Sequence, residues 1–397
     1  MSTSVRPKPL HGIKVLDLTR LLPGPVATLH LADMGADVIK IEDPGVGDYA
    51  RVLGDKSGHN AWLFLLVNRN KRALRLDLKQ AAGQQAFLDL ALQADVIVES
   101  FRPGVVDKLG IGYDTVHALN PRIVYCSITG YGQTGPYRDR AGHDLNYCGY
   151  SGVTDQIGTQ DGAPAIPNIQ LGDLLGGSLS AVMGILAAVI DAQQTGQGRS
   201  VDVAMTDCLL AHAIFPLIAQ LAGGQTRPRG QDFLSGVLPC YSLYETADGR
   251  HMAVGALEKK FWTLCCQTLG RPELAEQHWV FGEEAEMIRA ELAAIFKTQP
   301  QTYWTDLFEG VDCCVTPVLT LTESVINDQI AARNMFVNSD HSLDGSLTQF
   351  AFPIKFSEFE FSIEREAPRV GEHSEEILIQ AGFSAERISA LRETGVI

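Results

Sequence analysis

Positive charge is scarce in this sequence. Lys and Arg number 32 against 47 Asp and Glu, a formal charge of −15 over 397 residues. A field of that sign repels a phosphate backbone and an anionic bilayer, which argues against nucleic-acid and membrane-surface partners. It does not exclude a small phosphorylated ligand, because a few local Arg and Lys can override it. Metal and nucleotide spacings are missing too. No HExxH, GxSxG, GxxxxGK[ST] or EF-hand pattern occurs, and the histidines are scattered, so no metal site is expected. The N-terminal MSTSVRPKPLHG has no apolar stretch behind its basic residues, which reads as neither a secretory signal nor a spanning segment. No CxxC pair occurs among Cys126, Cys148, Cys208, Cys240, Cys265, Cys266, Cys313 and Cys314. Most lie in apolar patterns, so free core thiols in a reducing, cytoplasmic setting are expected.

What is present is ordinary globular composition, with 45 % hydrophobic and 20 % charged residues, enough to bury a large core. The opening alternates strand and helix signals. Ile13 to Leu18 reads as a strand, and Gly24-Pro25 starts a helix that ends near Gly35. Further β-rich runs follow at Asp37 to Ile41, Arg72 to Leu78, Asp95 to Glu99 and Ile123 to Ser127, with a helix over about Gln80 to Leu92. Short β-branched runs separated by helices indicate an α/β fold with a mostly parallel sheet.

A long apolar helix is expected from Asp173 to Gln193, closed by Gly196, and another after Asp202 through Leu209 to Leu221. The uncharged run Leu174 to Ile190 is 17 residues long with two adjacent glycines, and reads as a buried helix rather than a membrane span. Gly223 to Gly236 is polar and glycine-rich, like a linker. Beyond it Tyr241 to Tyr244, a turn at Asp248-Gly249 and His251 to Val254 read as an antiparallel hairpin opening a smaller α+β domain, with a helix from Glu284 to Phe296. The division expected is a large domain of residues 1–205 and 345–397, a linker over 206–235, a small domain over 236–320 and a return linker over 321–344. Helices over Glu372 to Ala381 and Ala385 to Leu391 can pack back on the large domain.

Gly130, Gly132 and Gly135 in GYGQTG superficially match a dinucleotide fingerprint. Pro136 follows at once and no amphipathic helix does, so a glycine loop shaping a cleft is expected instead. Cations gather near strand ends at Arg69, Arg72, Arg102 and Lys108, where open sheets place ligands. His143 and Asp144 stand in GHDLNY, and Asp173 lies thirty residues beyond His143 in LGDLLGG. An imidazole and a carboxylate across one cleft can pass protons to and from one carbon. Gly172, Gly176 and Gly177 would let backbone N–H groups approach a developing enolate. The helix start favours an ionised Asp173, and burial pulls the other way.

Ordered blocks along nearly the whole chain carry a resemblance: GIKVLDLTRLLPGP, GADVIKIE, NRNKRALRLDLK, ESFRPG, SITGYGQTGPY, AGHDLNY, LGDLLGG, GRSVDVAMTD, YSLYETADGRHMAVGALEKKFW and DCCVTPVLTLTE. The chain resembles the family III CoA-transferase superfamily (CaiB/BaiF), closest in motifs to its α-methylacyl-CoA racemase branch. The resemblance implies a Rossmann-like large domain built from both chain ends, a small domain between, and an interlocked homodimer. It implies an acyl-CoA substrate, a possible carboxylic acid co-substrate, and no cofactor beyond coenzyme A. Carried over residue by residue, Asp173 and His143 become the catalytic pair, with Asp144 beside His143 and Glu258 supporting its ring. Asn146 and Tyr147 of the same motif, with Arg69, Arg72, Arg102 and Lys108, become the expected CoA contacts.

Two reactions follow from that resemblance. The first is inversion at the α-carbon of 2-methyl-branched acyl-CoA thioesters through an enolate, with His143 and Asp173 on its two faces. The second is CoA transfer to a carboxylic acid through an aspartyl-CoA thioester on Asp173. Oxalate-type transferases typically lack the histidine of GHDxNY and carry a glycine run where this chain has LSGVLPC, which favours the racemase-like branch. Two departures stand out. Asp43 takes a position where some racemases place an Arg near the CoA adenine, and Cys240 replaces a more usual aromatic residue, which bears on the acyl pocket.

Overall fold

The computed structural model describes residues 6–397. Six strands, β1 (Lys14–Asp17), β2 (Asp37–Glu42), β3 (Lys71–Arg75), β4 (Val96–Glu99), β5 (Val124–Thr129) and β6 (Ser200–Ala204), form one sheet. Its order is β3-β2-β1-β4-β5-β6, and every neighbouring pair is parallel. The central strands β1, β2, β4 and β5 are mostly buried and rich in Val, Ile and Leu, as a sheet covered on both faces requires. On one face Leu16, Ile39, Leu74, Phe87 and Ile97 pack with Ile377, Leu378 and Ile388 of the chain's end. The C-terminal helices Ser374–Gln380 and Ala385–Glu393 thereby complete the core of the first unit. On the other face Val15, Val38, Val96 and Val124 pack against α1 (Pro23–Asp33) and the long apolar helix that follows Gly172.

That long helix is two pieces. Gly172–Leu179 is wound as a π-helix and continues into an α-helix over Ser180–Thr195, ended by Gly196 at φ 76°. By length and composition Gly172–Thr195 is apolar enough to cross a membrane, yet Ala181, Ile185 and Ala188 lie in the core beside β5 and β6. The wide turn and its glycines let the helix press against its neighbours. A Cβ on Gly176 would stand 2.5 Å from the Met205 carbonyl oxygen, and one on Gly177 would stand 2.9 Å from Pro23 Cβ. Gly176 and Gly177 therefore let the start of the helix pack on Met205 and Pro23.

The chain divides into two compact units. The first gathers the segment ending at Ser151, Asn168–His212 and Ala331–Ile397; the second gathers Gly152–Pro167 and Ala213–Ile330. The expected boundaries shift for identifiable reasons. Residues 331–344 are not a linker, because Phe336–His341 pairs with Gly345–Phe350 and Asp344 accepts from His59 and Asn60 backbone N–H groups. Residues 152–167 join the small unit because Arg229 grips Asp155 and the Gly162 carbonyl. The expected linker over 206–235 contains the helices Met205–Leu210 and Ile214–Gly223. Ser200–Ala204 is a strand rather than the approach to a helix, since it completes the edge beside β5.

In the second unit Tyr241–Glu245, His251–Gly255 and Val315–Pro317 form a three-stranded antiparallel sheet. Tyr244, Met252 and Val254 face helices Lys259–Thr268, Gly282–Phe296 and Gln301–Phe308 through Trp262, Phe296 and Trp304. All eight cysteines are free, and Cys126, Cys148, Cys240, Cys265, Cys266 and Cys313 are buried.

Candidate functional site

In an open parallel sheet of this order, connections leave β1 and β4 in opposite directions, so a crevice opens beyond their C-terminal ends. A cleft of ≈ 760 Å³ lies there in the first unit. Its walls come from the segments after β1 (Arg20, Leu21, Pro23), after β4 (Phe101, Arg102) and after β5 (Gly130, Tyr131), closed by 138–147 and Asp173. The GYGQTG loop does shape this cleft. A Cβ on Gly130 would lie 2.2 Å from the Tyr147 ring, so only glycine lets that ring seat there.

The GHDLNY segment forms a helix, α2 (Asp144–Tyr150), with His143 at its N-cap. The Asn146 side-chain oxygen accepts from the His143 backbone N–H at 3.0 Å, which fixes the entry of the helix. His143 lines the cleft with an exposed ring. Tyr147 is buried and donates its phenol O–H to the Gly142 carbonyl. Burial first, and then the Asp173 carboxylate, push its phenol pKa upward, so it stays protonated.

Asp144 turns away from the cleft. Its Oδ1 accepts from the Asp173 backbone N–H at 3.0 Å, and its Oδ2 takes the Cys148 thiol at 3.6 Å. It thus pins the start of the π-helix that presents Asp173. The Asp173 carboxyl is pushed up to about 7, by burial first and by the negative charge of Asp144 second. Of the two opposed effects expected at this helix start, burial wins. Behind the cleft at the end of β4, buried Glu99 is also raised to about 7, chiefly by burial, while its Oε2 accepts the Phe101 N–H at 2.7 Å.

The cleft's cations are Arg20, Arg102, Arg138 and Arg140. Arg20 pairs with Asp43 at 2.7 Å and lies over the rings of Tyr49 and Phe101 at 5.4 and 5.7 Å. Asp43 therefore steers an arginine at the cleft rim. Arg140 lies 3.8 Å over the Tyr137 ring and donates to the Tyr150 hydroxyl at 2.8 Å. Tyr131, Tyr137, Tyr147 and Tyr150 make edge-on or tilted contacts around it.

Three expected cationic contacts lie elsewhere. Arg69 is buried against Asp33 at 2.7 Å and Gln349. Arg72 is buried between Asp37 at 2.6 Å and Glu376 at 3.0 Å, tying β3 to the C-terminal helix. Lys108 is exposed at the end of the short helix Val105–Lys108 and does not line the cleft. The first two are ion-paired struts of the fold, so they have no free charge to offer a ligand. Cys240 is fully buried in the core of the second unit and does not line the cleft. Glu258 also belongs to the second unit, at the start of helix Lys259–Thr268. Arg20, Arg138 and Arg140 were not singled out from the sequence. The density of cations in YRDRAGHD, just ahead of His143, was the available signal for two of them. Among the described residues, no group of three or more His, Cys, Asp and Glu gathers as a metal site.

Comparison with known proteins gives concordant results. The profile of CoA-transferase family III matches residues 10–374. Over 388 residues the chain is 35 % identical to "Alpha-methylacyl-CoA racemase" of Homo sapiens, covering 98 % of this chain and 97 % of that one. It is 32 % identical over 398 residues to "Succinyl-CoA:glutarate CoA-transferase" of Homo sapiens, covering 98 % and 90 %. Among solved structures, a CAIB/BAIF family protein from Brucella suis superposes with a TM-score of 0.81 at 29 % identity, covering 95 % of this chain and all of that one.

Proposed function

The chain belongs to CoA-transferase family III, and from that premise we propose that it moves coenzyme A from an acyl-CoA donor to a carboxylic acid, using Asp173 as the covalent carrier. One observation carries the reading. Asp173 is the single carboxylate lining a cleft that also carries four arginines. The arginines suit the phosphates of coenzyme A, since guanidinium forks bind phosphate oxygens in pairs. Asp173 suits the thioester.

The Asp173 carboxylate attacks the donor carbonyl, forming a mixed anhydride and expelling CoA thiolate. The thiolate returns to the Asp173 carbonyl, leaving aspartyl-CoA and freeing the donor acid. The acceptor carboxylate attacks aspartyl-CoA, giving a second anhydride and thiolate again. Thiolate attack on the acceptor carbonyl then yields the new acyl-CoA and regenerates Asp173. Coenzyme A enters only as part of the substrate. The test is trapping: chain incubated with acyl-CoA and then hydroxylamine should carry a hydroxamate on the Asp173 peptide alone. An unmodified peptide after many acyl donors would rule the carrier role out.

A second reading rests on His143, whose ring lines the same cleft as Asp173. In it the two groups invert the α-carbon of a 2-methylacyl-CoA through an enolate, with Glu258 entering as the support of the His143 ring on resemblance alone. Uptake of α-deuterium from heavy water, above a buffer control, decides for it. Absence of uptake leaves transfer.

Self-association as a homodimer is proposed alongside. Met183 on the long helix and Ile214, Leu217, Ile218 and Leu221 on helix Ile214–Gly223 are large apolar side chains left exposed. Light scattering should give twice the 43.1 kDa chain mass.

A further inference from the structure

The second unit holds its own cavity, of ≈ 870 Å³, which is lined by neither Asp173 nor His143. Its floor is the outer face of the small sheet, with Tyr241, Leu243 and Ala253, and its far wall is the helix Gly282–Phe296 carrying Arg289. Leu243 is 64 % exposed there, an apolar strand residue with nothing over it. The lip is built rather than loose. Arg229 donates to the Asp155 carbonyl at 2.7 Å, the Gly162 carbonyl at 3.0 Å and Asp155 Oδ1 at 2.8 Å, holding Gly158, Thr159 and Gln160 at the cavity edge.

Arg289 is the informative group. One guanidinium nitrogen, Nη1, donates to the Gly236 carbonyl at 3.0 Å, while its Nε is buried and has no hydrogen-bond partner among the described residues. A guanidinium has five N–H donors, and with Nε closed off and one Nη1 bond made to Gly236, the remaining Nη donors are those left for a ligand. Glu286, three residues earlier on the same helix, also lines the cavity but makes no ion pair with Arg289 among the described residues. Cys314 closes the cavity near Glu258. Its thiol is raised by burial first and by the Glu258 carboxylate second, so Glu258 stands within electrostatic reach of the cavity edge.

We infer that this cavity binds a carboxylic acid with an apolar skeleton, its carboxylate paired with the guanidinium of Arg289 and its body over Tyr241, Leu243 and Ala253. The inference deepens the proposed transfer, on which it rests only in making that acid the acceptor or released donor. The acid class follows from the wall: half-buried Arg289 is the one cation lining the cavity, and the Tyr241, Leu243 and Ala253 side chains beside it suit an apolar body.

The experiment uses the full chain without any CoA thioester, and reads saturation-transfer NMR and calorimetry with hexanoate, benzoate and the neutral control hexanamide. Hexanoate and benzoate should bind saturably, and hexanamide about tenfold more weakly, the worth of one charge-assisted pair. Arg289→Gln should weaken hexanoate by a similar factor, and Glu286→Gln should tighten it. Because Arg289 also holds Gly236, Leu243→Trp gives an independent check: it fills the cavity from an exposed strand position and should abolish binding with the fold intact by circular dichroism. Asp173→Asn should bind hexanoate as the parent does, so loss of transfer and loss of acid binding remain separable. Equal binding of hexanoate and hexanamide would overturn the inference. So would parent-like hexanoate binding in Leu243→Trp, or no acid binding at all, including the case where a second copy of the chain covers this face.

Discussion

Asp173 concentrates the physics of the proposed chemistry in one side chain. Its pKa is raised to about 7, and attack on a thioester needs the ionised form. The rate of covalent loading should therefore rise with pH through about 7 and level off above it, in single-turnover mixing with an acyl-CoA. Glu99 is raised to about 7 as well, so a second change is needed to assign the midpoint. Asp144→Asn removes the charge that contributes to the Asp173 shift while keeping an acceptor for its N–H, and should move the midpoint downward. An unmoved midpoint would assign the titration to Glu99. The same shift has a stability sign. A carboxyl whose folded pKa lies above its unfolded value of 3.8 stabilises least when ionised, so stability is lost as pH rises from about 4 through 7. Asp173→Asn should raise stability by ~1–2 kcal/mol at pH 8, less than the full linkage value because the cleft is open to water, and by little at pH 4. Thermal melts at the two pH values measure this. At this scale the motifs pointed to Asp173 and His143, which line one cleft. The sequence misdirected the search for cations, because the partners that neutralise Arg69 and Arg72, Asp33 and Asp37, lie about 35 residues away along the chain.

Among elements, the start of the long helix is the most constrained. Gly176 meets the Met205 carbonyl so closely that Gly176→Ala should destabilise by about 1–3 kcal/mol, the range for overpacking, and should slow Asp173 chemistry by displacing the π-helical turn. Chemical denaturation and single-turnover loading check the two effects separately. Opposite it, the segment after β1 is held by buried charge. Asp48 accepts the backbone N–H of Leu21, a non-glycine residue at φ 66°, and pairs with fully buried Lys40 at 2.7 Å. Removing one partner of a buried pair typically costs ~3–5 kcal/mol, so Asp48→Ala should unfold at markedly lower denaturant and loosen the Arg20 rim of the cleft. β1, β2, β4 and β5 were legible as runs rich in Val and Ile, and β3 as alternating Leu and polar residues. Ser200–Ala204 was not, because its outward positions are polar and its edge pairing with β5 depends on a segment 75 residues earlier. The break between Met205–Leu210 and Ile214–Gly223 was hidden because no Gly or Pro falls between Leu210 and Ile214 to mark it.

Over the whole molecule, a chain of net charge −15 places four arginines in one cleft. That contrast makes binding of a polyanionic thioester dependent on local charge and on salt. Arg102→Gln and Arg140→Gln should each raise KM for acyl-CoA several-fold with little change in kcat, and parental KM should rise between ~50 and ~300 mM salt. The sequence separated a parallel-sheet region from an antiparallel hairpin region beyond residue 236. The domain edges were not legible, since residues 152–167 and 331–344 take their places through contacts with segments far along the chain. The most direct measurement follows oxygen. An acceptor acid labelled with oxygen-18 in its carboxylate, given several turnovers with acyl-CoA, should leave label in the Asp173 carboxyl, because the oxygen bridging the second anhydride stays with the enzyme. Peptide mass spectrometry showing heavy oxygen at Asp173 is the predicted result. An unlabelled Asp173 in protein that has demonstrably formed acceptor acyl-CoA would contradict the account.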